Sequence, residues 1–339
     1  MKKYWILLLI VFSSAVSQSQ LPVSADSVYR LIKNHSIHRN IVNWQAIDSA
    51  FTKKLQTSKN TNDTLQSLLS VLSQLKDVHS QLIYNNKTLA NYPSFDDSTL
   101  EYLVPLVNRS QQQTGIIKTA FLQNKYVYIQ LPGINAIGTQ KVNEYAQAIS
   151  DSICKFKNQK PQGFIVDLRI NGGGQLSSMI AGINLLLGNG YLGAGVDIDN
   201  NEVFRYELRS GNFYISNTRI TSIKNKCTMD LSKLPVAVLI GPVTRSSGSI
   251  TAIAFKQRPK TWFIGEPTAD GYSTGNVFFP LGNNFLLNLS TTFNQDRKKI
   301  IYKNSVPPDQ IIKGGDDFDN LLNDQKIRLA LVWLEKIRK

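Results

Sequence analysis

Two short apolar runs in this chain each end in residues suited to a tight turn, and each turn leads at once into a helical pattern. Gly163 to Leu168 runs into Gly172-Gly173-Gly174 and then into the helical stretch Leu176 to Leu187. Pro235 to Ile240 runs into Gly241-Pro242 and the small-residue cluster Thr244 to Ser249, where a helix from Ser246 to Phe255 can begin. Runs this short and this uniformly apolar suit strands buried on both faces, the condition of a sheet covered by helices. Tyr126 to Leu131 adds a strand of β-branched and aromatic residues that stops at Pro132-Gly133. Val142 to Phe156 has helical spacing, Thr261 to Gly265 and Phe285 to Thr292 read as further strands, and Asp324 to Ile337 closes as a helix. Strands alternating with helices predict an α/β core.

The region before this core has a different period. Leu65, Leu68, Leu69, Leu72 and Leu75 share one helical face, with Asn62 or Asp63 as the N-cap, and Val28, Leu31 and Ile32 mark an earlier helix. Residues 18–76 are therefore expected to form a small helical bundle and residues 77–339 the core. The stretch 189–229 interrupts the alternation with hairpin-like pieces and reads as a β-rich insertion near the site. Ahead of the bundle, Lys2-Lys3, an apolar run from Tyr4 to Phe12 and the small residues Ser13 to Ser17 have the order of a signal peptide over residues 1–17. The run is far short of the ~20 residues needed to span a bilayer. The expected location is periplasmic or extracellular.

Charge and cysteine content narrow the partners. A formal net charge of +14 favours acidic peptides or anionic surfaces. Nucleic acid is set aside, because the basic residues are scattered and no zinc-finger, helix-turn-helix or RNP pattern accompanies them. Cys154 and Cys227 are too few for a disulfide scaffold and can either pair or remain as buried thiols. No cofactor is implied. Asp197-x-Asp199-x-Asn201 opens like a calcium loop, but Glu202 takes the glycine position and Leu208 the closing carboxylate position, so a polar hairpin turn is the expectation. His35 and His38 have no third ligand in view and are taken as solvated helix-end residues, leaving no metal site.

Three segments carry chemistry. In Asp77-Val78-His79-Ser80 a histidine follows the end of a helix beside a carboxylate. In Asp167 to Gly174 a buried strand enters a glycine triplet, whose backbone amides can hold an anion or oxyanion. In Thr244 to Ser249 a serine stands on a strand-to-helix turn, where its hydroxyl is exposed and the next amide can face an oxyanion. Each alone has a plainer reading: a capping histidine, a tight turn, or a helix cap. No Gly-Lys-Ser/Thr follows the glycines, which argues against a nucleotide loop.

Together, and in this order, the segments resemble the tail-specific (C-terminal processing) serine peptidases, of the tricorn-core and nisin-resistance-peptidase-like kind. The family pattern continues through Gly265-Glu266-Pro267-Thr268 and Pro308-Asp309, so the likeness runs from about Leu72 to the C-terminus. The resemblance implies a mixed-sheet, ClpP/crotonase-like α/β core, Ser246 as nucleophile and His79 as base. It also implies an oxyanion hole from the amides of Ser247 and of Gly173 or Gly174, with Asp77 or Ser80 as candidates to orient the imidazole. Members with a Ser–Lys dyad carry a lysine after Gly-Glu-x-Thr, where this chain has Ala269 to Ser273. The glutamate that closes the nucleophile segment is Ser249 here, and Lys303 to Val306 replaces the tricorn-type glutamate. The chain between Tyr84 and Tyr126 is too short for a connector and a whole PDZ domain. A Ser–His dyad remains, acting on the C-terminal segment of a peptide or protein. The alternative is a catalytically inactive relative that binds peptide or lipid.

Overall fold

The computed structural model describes residues 24–59, 61–85, 87–90, 97–224, 227, 231–282 and 284–337. The proposed signal peptide lies outside them. Among the described residues no helix is long and apolar enough to cross a membrane. The chain divides into two compact units, 1–94 with 197–199 and 274–292, and 95–196 with 200–273 and 293–339.

In the first unit, helices Ala25–His35, Trp44–Thr57 and Thr61–Gln74 are separated by polar turns. Ser24 caps the first by accepting from the Ser27 amide, and Asn43 caps the second by accepting from the Ala46 amide. The third begins at Thr61, ahead of the expected cap, because Asp63 sits within its first turn and its carboxylate accepts from the Lys59 amide (2.8 Å). The helical apolar faces do not close on each other alone. Tyr29, Ile32, Phe51, Leu68, Leu72 and Leu75 share a core with Leu82, Leu281, Leu287 and Leu289. Those four leucines come from strands Gln81–Tyr84, Thr274–Gly282 and Phe285–Gln295, which are hydrogen-bonded neighbours. Thr274–Gly282 went unread in the sequence, since Gly275, Pro280 and Gly282 break its apolar pattern.

The second unit contains the α/β core. Its sheet runs in the order Gln310–Ile311, Thr261–Gly265, Val236–Ile240, Gly163–Asp167, Tyr126–Gln130, Lys118–Leu122. Every pairing is parallel except the last, which makes the sheet mixed as expected. Alternate residues serve opposite faces, as a period of two requires. Val127, Val166 and Val238 pack with helices Thr139–Cys154, Leu176–Gly182 and Ser247–Phe255, while Tyr128, Ile165 and Leu239 pack with helix Gln325–Ile337. The expected helix 176–187 is interrupted at Ile183. Helix Asp97–Gln112 had no counterpart in the sequence reading, its pattern masked by Pro105 in its interior. The 189–229 stretch contains antiparallel strands Gly190–Val196, Glu202–Arg209, Asn212–Ile215 and Thr218–Arg219. Residues 225, 226, 228 and 229 at its far end lie outside the described residues.

Cys154 and Cys227 form a disulfide that closes a separation of 73 residues. It ties the end of helix Thr139–Cys154 to the chain that follows the meander. Restricting the unfolded chain over such a loop is worth roughly 4 kcal/mol on the chain-entropy account. Replacing both cysteines by serine should therefore lower the urea midpoint substantially, with the slope reporting any change in the unfolded state. An unchanged midpoint would show that the bridge contributes nothing to stability.

Candidate active site

The second unit builds a serine turn against a glycine turn. Strand Val236–Ile240 lies between Gly163–Asp167 and Thr261–Gly265, so both turns emerge from neighbouring strands at the same edge. The Thr244 hydroxyl clamps them: it accepts from the Gly241 amide (3.0 Å) and donates to the Leu168 carbonyl (2.7 Å). The Arg245 amide then donates to the Asn171 carbonyl (3.1 Å). Ser246 follows at φ 54°, ψ −127°, immediately before helix Ser247–Phe255. A positive φ is uncommon for any residue but glycine, and such strain costs on the order of 1–3 kcal/mol. Here it lifts the half-buried Ser246 out of the path of both strand and helix.

Asn171 organises the glycine side. Its side-chain amide donates to the carbonyls of Leu131 and Pro132 (3.1 Å each), and its Oδ1 accepts from the Gly173 amide (3.0 Å). Gly173, at φ +100°, brings its α-carbon against Ser246: a Cβ there would lie 2.8 Å from Ser246 Cβ and 3.3 Å from its Oγ. No side chain could occupy that position without displacing the serine. Ile134 pairs in parallel with Gly174, donating to the Gly173 carbonyl and accepting from the Gln175 amide. The Gly174 amide therefore points away from Ile134. On its other side the Gly174 carbonyl accepts from the Ser247 hydroxyl (2.6 Å). Ser249, where the family pattern has glutamate, is fully buried and donates to the Thr244 carbonyl (3.2 Å).

Beneath these turns lies a buried charge cluster. Arg169 is joined by Asp167 (2.7 Å), Asp324 (2.7 Å) and Asp316. Burial alone disfavours its charge, but the carboxylates of Asp167, Asp324 and Asp316 outweigh it and hold its pKa well above the ordinary arginine value. Glu266 accepts from the Tyr102 hydroxyl (2.8 Å), and the Thr268 amide and hydroxyl bond Val306, which ties the Gly265-Glu266-Pro267-Thr268 loop into the same scaffold.

His79, Asp77 and Ser80 belong to the first unit. The imidazole is 8% exposed, and its Nδ1 lies 2.7 Å from the Thr274 hydroxyl. Asp77 accepts from the backbone amides of His79 (2.9 Å) and Ser80 (3.2 Å), and also from the Ser80 hydroxyl. Asp77 and Ser80 thus fix the loop, while the group on the ring is Thr274. The hydrogen bonds around Thr274 favour one tautomer. Asn276 spends its side-chain amide on the His79 carbonyl (3.0 Å) and on Asn288 Oδ1 (3.0 Å), so its own Oδ1 accepts from Thr274 (3.0 Å). The alternative acceptor for Thr274, Ser290 Oγ, directs its own proton to Asp77. With the Thr274 hydrogen on either acceptor, its oxygen presents a lone pair to His79, which favours the hydrogen on Nδ1 and the lone pair on Nε2. Sequence reading missed Thr274, Asn276, Asn288 and Ser290; they lie on strands with no motif, about 200 residues from the histidine. Among the described residues no group of histidines, cysteines and carboxylates is arranged to hold a metal. His38 instead lies 3.9 Å from Asp77.

Comparison with known proteins bears on these turns. A model of the peptidase family S41 matches residues 125–312, more than half of the chain. The chain belongs to peptidase family S41. In this family of serine peptidases, a nisin-resistance protein from Lactococcus lactis subsp. lactis is 33% identical over 195 residues, covering 56% of this chain and 57% of its own. A carboxy-terminal-processing protease from Bartonella bacilliformis is 28% identical over 144 residues, covering 42% and 29%. This chain thus spans less than two thirds of the length of either. Among solved structures, a lipoprotein from Streptococcus agalactiae has a TM-score of 0.68 at 22% identity, covering 95% of this chain and 100% of that one. The photosystem II D1 C-terminal processing protease has a TM-score of 0.56 at 13% identity, covering 85% and 92%. These likenesses show a shared α/β fold.

Two outcomes follow from the packing. A Cβ at Gly248 would meet the Asn171 carbonyl at 2.6 Å and its Oδ1 at 2.7 Å. Gly248→Ala should therefore cost about 1–3 kcal/mol in urea unfolding; a neutral substitution would mean the contact is slack. In the first unit, nitrogen NMR should show His79 protonated at Nδ1. Thr274→Val should mix the tautomers and Thr274→Ser restore them, whereas an identical spectrum in Thr274→Val would refute the assignment.

Proposed function

We propose that this S41 member is a secreted or periplasmic serine endopeptidase that cleaves peptides or proteins near their C-termini through a Ser246–His79 dyad. The observation that carries this reading is the strained Ser246 backbone, set between a helix N-terminus and a glycine turn. Strain of this kind at a buried-edge serine makes sense where the hydroxyl must be presented to a substrate. In the proposed cycle His79 Nε2 takes the Ser246 proton as Oγ adds to the scissile carbonyl carbon. The amides of Gly174 and Ser247 donate to the oxyanion, and Gly173, its own amide held by Asn171, lets the glycine turn lie directly against Ser246. Collapse expels the amine, which takes the proton from His79, and leaves an ester on Ser246. Water, deprotonated by the same nitrogen, then releases the acid. Thr274 acts as a positioning residue by fixing which nitrogen is the base, and Asp77 and Ser80 act one step further back, through the histidine backbone.

The export reading draws on the N-terminal pattern and on the Cys154–Cys227 bridge, since disulfides persist mainly in oxidising compartments. Cleavage near a C-terminus is brought over from the name of the Bartonella relative. A fluorophosphonate probe should label the wild type and leave Ser246→Ala unlabelled. Cleavage of a quenched peptide pool should fall about 10³-fold or more in Ser246→Ala and in His79→Ala, with the double variant no worse than either, as for residues that act as one unit. Failure of the probe to label the wild type, with no peptide cleaved, would leave the binding-protein alternative.

A further inference from the structure

The arginine next to the proposed nucleophile is not engaged like the other buried arginines of the second unit. Arg169 is held by three carboxylates. Arg258 donates to the carbonyls of Leu186, Ser232 and Leu234, and Arg297 to those of Leu187 and Ala254. The half-buried Arg245 guanidinium has no carboxylate or hydrogen-bond acceptor among the described residues. Its neighbour is an aromatic face: the guanidinium carbon lies 5.7 Å from the centroid of the Tyr272 ring. A ring face holds an arginine in place but satisfies none of its N–H donors directionally.

Position adds a second observation. Arg245 Nε lies 3.8 Å from where a Cβ on Gly172 would stand, and Ser246 Oγ lies 3.3 Å from where one on Gly173 would stand. Consecutive glycines therefore run along consecutive residues, guanidinium beside Gly172 and hydroxyl beside Gly173. On its other side the Gly172 position is bounded by Ser110 Oγ, 3.1 Å from where the same Cβ would stand. A planar fork of unfilled donors in that place fits an acceptor with two coplanar oxygens.

We propose that Arg245 anchors a substrate carboxylate, selecting peptides that carry one within about two residues of the bond Ser246 attacks. The assignment rests on the peptidase reading above. The carboxylate can be a chain terminus or an Asp or Glu side chain, and the test separates the two.

The test uses one randomised peptide pool in four forms. One pair compares a free terminal acid with a terminal amide, both without internal acids. The other compares a fixed aspartate with a fixed asparagine, both amidated. Cleavage by the wild type, Arg245→Gln and Arg245→Lys is followed by mass spectrometry, and binding of the same pools to Ser246→Ala, with and without Arg245→Gln, by fluorescence anisotropy. The wild type should favour at least one carboxylate form over its neutral partner by about tenfold or more. Arg245→Gln should bring that ratio close to one, and Arg245→Lys, which keeps the charge without the fork, should fall between. Preference for the terminal acid alone identifies the terminus as the ligand, and preference for aspartate alone identifies a side chain. A wild-type ratio near one in both pairs, or an undiminished ratio in both Arg245 variants, overturns the proposal. If the wild type cleaves no pool, the peptidase reading fails by itself, and the binding ratios on Ser246→Ala still decide whether Arg245 holds a carboxylate.

Discussion

The side chain of Asn171 is the tie on which the serine turn depends. Through the hydrogen bonds of its carboxamide and one to its own carbonyl, it joins the end of strand Tyr126–Gln130, the glycine triplet and the residue before Ser246. It is fully buried, so each of these bonds is made where water cannot replace it. The strained φ of Ser246 persists because the residues on both sides are fixed independently, Arg245 by Asn171 and Ser247 by the Gly174 carbonyl. Gly248 completes the arrangement by letting the helix approach Asn171 more closely than any side chain would allow.

The first unit solves a different problem with the same means. Its histidine emerges just past a helix, on a loop that would be free to turn without support. Asp77 accepts from two backbone amides of that loop, Asn276 and Asn288 both donate to the His79 carbonyl, and Thr274 meets the ring. A neutral hydroxyl at Nδ1 fixes the tautomer without adding a charge.

The parts of the fold that could be read in the sequence were those whose burial is uniform. Val236–Ile240 and Gly163–Asp167 are buried along their whole length, and their composition says so. Thr274–Gly282 varies irregularly in exposure and contains proline and glycine, so no period stands out. Helix Asp97–Gln112 carries a proline where a propensity argument would end it. At the site, Ser246, Ser247 and the glycines are announced by turns, since turn chemistry is local. The groups that hold them are long-range: Thr274 is 195 residues from His79, and nothing about a lone threonine on a strand marks it. The cysteine pairing was open for the same reason, because it depends on where helix Thr139–Cys154 ends relative to a segment 73 residues away.

The Arg169 cluster also bears on the order in which the molecule can be completed. Two of its three carboxylates, Asp316 and Asp324, are encoded 147 and 155 residues after the arginine. A chain made from its N-terminus presents strand Gly163–Asp167 and the guanidinium long before those partners exist, and a guanidinium with only Asp167 is costly to bury. The strand edge that supports both turns therefore gains its full set of counter-charges only after Asp316 and Asp324 have been synthesised. A nascent chain that stops short of them would have every residue of the serine turn and still lack the buried carboxylates beneath it.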